Sequence, residues 1–140
     1  MSTVLAFDFG LRRIGVATGN TITNSASALT VVNSLGPAIN WSALEALVAE
    51  WRPAKIIVGL PLLLDGTRQR FTDKTEAFAD QLAERSGLPV IMVDERLSSR
   101  AAEAELKSER QRGRKSKIRK AEIDATAARI ILETWFSEQP

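Results

Sequence analysis

Short apolar runs and longer helical spacings alternate along this chain. Residues 3–9 are almost all apolar, a second run at 13–18 follows a tight turn at Gly10, Leu11 and Arg12, and a third spans 25–32. Runs of this length bounded by turn residues read as strands, and three with short connections read as an antiparallel meander. After the turn residues at 33–37, Trp41, Leu44, Leu47, Val48 and Trp51 recur at helical spacing and predict a helix over 41–51. Ser42 and Glu45 have the three-residue offset of a capping box at its start. The run at 55–60 is apolar after Lys55 and stops at Pro61, the pattern of a central parallel strand. Phe71, Phe78 and Leu82 space a helix over 72–86, closed by Gly87. A further strand is expected at 90–95, then helices over 98–110 and 120–136.

Strands separated by single helices imply right-handed parallel crossovers. The expected fold is therefore α/β, a five-stranded mixed sheet with three antiparallel and two parallel strands, flanked by helices. The 140 residues are enough for one domain, 1–140, whose core needs no staples. No apolar run reaches 18 residues, no signal-peptide layout opens the chain and cysteine is absent. These features predict a cytoplasmic protein without membrane association.

Composition narrows the chemistry. The chain contains no His, Cys or Tyr, so thiol catalysis, histidine triads and the usual zinc sites are excluded. What remains for hydrolysis is carboxylate chemistry, and carboxylates suit Mg²⁺ or Mn²⁺, which make water nucleophilic without a histidine base. The charge is uneven. Residues 107–120 hold eight basic side chains against Glu109, a local net of +7 in a chain whose total is +2. Such a segment is expected to be solvated and mobile, and it is also the footprint of a polyanion binder.

Three acidic positions stand out against their apolar surroundings. Asp8 ends the first strand, where a buried charge needs compensation, although a turn-shaping role at Gly10 would also explain it. Asp94 and Glu95 end the last strand, and only one of them can share a face with Asp8, which spacing alone does not decide. Asp124 lies one, two and three turns from Ala128, Ile131 and Trp135, on the buried stripe of the last helix, where pairing with Lys or Arg is the ordinary alternative. Three such acids meeting would repel one another unless cations sat among them, and two divalent ions could clamp the attacking and leaving oxygens of a phosphodiester.

Asp8-Phe9-Gly10 with residues 13–17, then Val58-Gly59-Leu60-Pro61 with Asp65-Gly66, then Asp94-Glu95-Arg96-Leu97-Ser98, then Ile123-Asp124 with Ala127-Ala128, resembles the YqgF/RuvX family in order and spacing. The resemblance implies a ribonuclease H-like fold related to Holliday-junction resolvases and nuclease activity in maturing the 5′ end of pre-16S ribosomal RNA. It implies that Asp8, Glu95 and Asp124 are the catalytic metal ligands, selecting Glu95 over Asp94, and that Arg96 and Ser98 sit beside the scissile phosphate. Two positions depart from the family pattern: Leu63 stands where Asn is common, and Ala125 follows Asp124 where Ser is usual.

The leading expectation is a metal-dependent endonuclease holding two Mg²⁺ or Mn²⁺ ions. Its substrate would be structured RNA or branched DNA, with Arg112, Arg114, Lys115 and Lys117 gripping flanking phosphates by charge. A monomer or weak dimer is expected. The rivals are a Holliday-junction resolvase and a catalytically weak nucleic-acid-binding assembly factor. An actin-like nucleotide-binding protein would need a second lobe for which 140 residues leave no room.

Overall fold

The computed structural model describes residues 2–61, 70–95, 98–113 and 117–139. Asp65 and Gly66, part of the second motif, lie outside the described residues, as does Leu63. The apolar runs form five strands: β1 (Thr3–Asp8), β2 (Arg13–Asn20), β3 (Ser25–Asn33), β4 (Lys55–Leu60) and β5 (Val90–Asp94). They make one sheet in the order β3-β2-β1-β4-β5. The first three are antiparallel, whereas β1–β4 and β4–β5 are parallel, as the placing of helices between them requires.

The described residues form four helices: α1 (Trp41–Trp51), α2 (Arg70–Ser86), α3 (Ser98–Gln111) and α4 (Lys120–Ser137). Alternation of side chains along the strands divides the core in two. Leu5, Phe7, Val16, Ile56 and Val58 pack with Leu44 of α1 and Phe78 and Leu82 of α2. On the other face Val4, Ala6, Ala17, Ile57 and Val93 meet Ala128, Ile131, Leu132 and Trp135 of α4. The tryptophans are structural: Trp41 and Trp51 pack against the first core, and Trp135 is buried in the second. Helix α3 docks on α4 through the buried Ala102 and Leu106, and Arg129 bridges Glu105 on α3 to Glu133 on α4.

The helix ends show where local chemistry overrode the expected caps. Asn40, not Ser42, caps α1: its side chain accepts from the Ala43 N–H at 3.2 Å, so the Ser42–Glu45 spacing falls inside the helix. An Asn just ahead of the first turn reaches an unpaired N–H that a Ser already in the helix cannot. The same helix ends at Arg52 in the left-handed region, with φ 45°, immediately before Pro53. Gly87 takes φ +69° after α2, and its N–H bonds the Ala83 carbonyl at 2.9 Å, the glycine cap expected there. Among the described residues no helix is long and apolar enough to cross a membrane.

Replacing Asn40 with Ala should cost about 1 kcal/mol of stability, whereas Ser42→Ala should stay within about 0.5 kcal/mol. Urea unfolding midpoints of the two variants check this assignment.

Candidate active site

Where Asp8, Glu95 and Asp124 fall is decided by which face each strand residue takes. Asp8 follows Val4 and Ala6 on the α4 side of β1. Ile91 and Val93 of β5 also pack on that side, whereas Val90 and Met92 face α1 and α2. Alternation therefore carries Glu95 onto the face of Asp8 and turns Asp94 to the other. Glu95 lies just past β5, where its N–H still bonds the Leu60 carbonyl at 3.2 Å.

Two glycines make the convergence sterically feasible. Gly15 pairs directly with Asp8 across the β1–β2 ladder. A Cβ on Gly15 would lie 2.0 Å from the Asp124 carbonyl oxygen, so the backbone of α4 rests on β2 at this point. A Cβ on Gly59 would lie 2.5 Å from both Glu95 Cγ and Ile131 Cδ1. The Glu95 side chain therefore lies over β4, the strand between its own and that of Asp8.

The resulting site is acidic and largely closed. Burial pushes the Asp8 carboxyl well above its ordinary pKa, and the nearby charges of Glu95 and Asp124 push it further. Asp124 is half-buried and paired, its Oδ2 accepting from Arg13 Nε at 2.6 Å. The ordinary expectation for a buried-face acid is thus met, alongside its proximity to Asp8. Arg13 is the site residue that sequence reasoning passed over. It stood within the quoted motif, two residues from Gly15 and hence on the same strand face, which was the available signal.

The donor set is all oxygen and mutually repelling, which in chemistry fits a hard divalent cation. As the side chains stand, no group of three acids among the described residues is gathered closely enough to hold one ion. Of the expected phosphate-binding residues, Arg112 and Lys117 are exposed, in the connection from α3 to α4. Arg96, Arg114 and Lys115 lie outside the described residues, and Ser98 opens α3 with its side chain outside them. Helix α3 runs through Lys107 and Arg110, so this first part of the basic segment is helical. These two residues, with Glu103, Gln111, Ile118 and Ile123, line a groove between α3 and α4 beside the Asp124 turn. Ala125, half-buried, follows Asp124 without adding a polar group.

A five-stranded mixed sheet with acids at the ends of two strands that flank a third, and on the helix crossing them, is the architecture of resolvase-type, ribonuclease H-like nucleases. Thermus thermophilus RuvC, solved with a Holliday junction substrate, superposes with a TM-score of 0.57 at 19% identity over 97% of this chain and 94% of its own. The fowlpox virus Holliday junction resolvase gives 0.56 at 14% identity over 98% and 99% of the two chains. At these identities the likeness is one of fold. The sequence places the chain more narrowly. A family model described as "RuvX: Holliday junction resolvase" matches residues 2–138, and the chain belongs to that family. A protein named "Putative pre-16S rRNA nuclease" from Dechloromonas aromatica is 49% identical over 97% of this chain and 91% of its own. One of the same name from Haemophilus ducreyi is 42% identical over 99% of both.

Two outcomes test this geometry. Gly15→Ala, which drives a methyl into the Asp124 backbone, should cost about 1–3 kcal/mol, read as a lower unfolding midpoint. Asp8→Asn should stabilise the cation-free protein at pH 7. The sign follows from the raised pKa: the folded state holds the Asp8 proton more tightly than the unfolded chain, so ionised Asp8 opposes folding above that pKa and the opposition fades as pH falls through it. Melting curves of wild type and variant between pH 4 and about 8 check both the offset and its convergence at low pH.

Proposed function

We propose that this chain is a divalent-cation-dependent endonuclease that processes the 5′ end of pre-16S ribosomal RNA, with Asp8, Glu95 and Asp124 as its catalytic residues. The observation that carries the reading is the convergence of three carboxylates from β1, the end of β5 and α4 on one face, around a buried Asp8 whose charge no apolar environment tolerates alone. The names of the Dechloromonas aromatica and Haemophilus ducreyi relatives support the RNA substrate, and family membership supports the reaction class.

A cation held there, Mg²⁺ or Mn²⁺, supplies the Lewis acidity that makes water a nucleophile at neutral pH. The protein's own part is to hold the ligands on a rigid sheet and helix, so that little reorganisation accompanies the reaction. Lys107 and Arg110 along the groove, and Arg112, Arg114, Lys115 and Lys117 after them in the sequence, bind flanking phosphates, which fixes register without reading sequence. Arg96 and Ser98, one and three residues after Glu95 in the chain, touch the scissile or adjacent phosphate. The family description favours a second reading, cleavage of four-way DNA junctions.

One panel separates the readings. Labelled ribosomal RNA precursor and a four-way DNA junction are incubated with Mn²⁺, Mg²⁺ or chelator. Cation-dependent cleavage of the RNA is expected, with Asp8→Asn, Glu95→Gln and Asp124→Asn each lowering the rate at least about a hundredfold. Cleavage of the junction alone would establish the second reading, and binding without cleavage of either would leave an assembly factor. For the basic segment, Arg112→Glu with Lys117→Glu should flatten the log–log salt dependence of RNA binding by about 2, and an unchanged slope would remove these residues from the interface.

A further inference from the structure

Arg13 begins β2, two residues before Gly15 and on the same face, and its Nε donates to Asp124 Oδ2 at 2.6 Å with both side chains partly withdrawn from solvent. A guanidinium is charged at every accessible pH, so this is a fixed positive charge set against an acidic cluster. We propose that Arg13 is the resident counter-ion of the cluster: it holds Asp124 in the cation-free protein and competes with a divalent cation for that carboxylate. The inference rests on the reading of the acids as a cation site and adds to it a residue that controls loading.

Three observations support this. Asp124 lies over Gly15, the ladder partner of Asp8, and the Glu95 side chain lies over β4 beside them, so three acids share one face with Arg13. Asp124 gives one carboxylate oxygen to a short, charge-assisted hydrogen bond, and an oxygen so engaged is a weaker ligand. Asp124 is turned to Arg13, and no three acids among the described residues are gathered closely enough to hold one ion. The contact of the Asp124 backbone with Gly15 sets the size of the change. Helix α4 cannot move further onto the sheet there, so Asp124 exchanges Arg13 for an ion by side-chain rotation alone. Arg13 is a positioning residue in this scheme, acting through Asp124.

Mn²⁺ titration by calorimetry, with melting curves in chelator, tests the proposal on wild type, Arg13→Gln, Arg13→Lys, Asp8→Asn, Asp124→Asn and the Arg13→Gln/Asp124→Asn double variant. Arg13→Gln should bind Mn²⁺ about three- to tenfold more tightly than wild type, while melting at a lower temperature in chelator. In the Asp124→Asn background the same substitution should leave Mn²⁺ affinity unchanged. If Arg13→Gln does not fold, Arg13→Lys is read instead, and its affinity should rise by a smaller factor because an ammonium cannot reproduce the side-on Nε–H bond. A folded Arg13 variant that binds Mn²⁺ no more tightly than wild type overturns the counter-ion role. Wild type binding Mn²⁺ no better than Asp8→Asn overturns the cation-site reading itself, and with it the competition.

Discussion

The backbone of α4 rests on β2 with no side chain between them, and much else in the structure depends on that contact. A methyl at Gly15 would overlap the Asp124 carbonyl, so the helix can lie at this height only over glycine. From there its small and branched residues, Ala128, Ile131 and Leu132, seat against Val4, Ala6 and Ile57 to form the second core. The same approach brings Asp124 beside Asp8, whose ladder partner is Gly15. Packing and site are thus one feature: the apolar burial that holds α4 down also sets Asp124 beside Asp8 and within reach of Arg13.

The electrostatic conflict at Asp8 is characteristic of a site rather than a core. Asp8 sits among apolar strand residues and beside two carboxylates, and its proton affinity rises accordingly. A fold that only needed filling would place a Val or Ala there, as it does at Val4 and Ala6 on the same face. Retaining the carboxylate costs stability, and local departures from packing logic of this kind are where function is expected. The α3–α4 groove, lined by Lys107 and Arg110, runs beside the Asp124 turn, and Arg112 and Lys117 lie exposed in the connection that follows α3.

Local hydrogen bonding shows a smaller departure of the same sort. The spacing of Ser42 and Glu45 matches a capping box, yet Asn40 makes the cap, because its position outside the first turn lets its side chain reach the Ala43 N–H. A motif defined by offset holds in either register, and only the chain's entry angle into the helix distinguishes them.

The elements and their order were legible in the sequence because each is a local matter of period and punctuation, and all nine lie where the hydrophobic pattern put them within a few residues. Family membership was legible too, through four short motifs in fixed order. The acids were visible as misfits in apolar runs, but their relation was not. Asp94 and Glu95 are equivalent by spacing, and the choice between them depends on which face of β5 packs on α4, a long-range fact. The Arg13–Asp124 pair joins residues 111 apart in the chain, and the roles of Gly15 and Gly59 lie in side chains they lack. Periodicity records what each segment buries. Which charges then meet is decided by how helix and sheet stack, and only the tertiary structure carries that information.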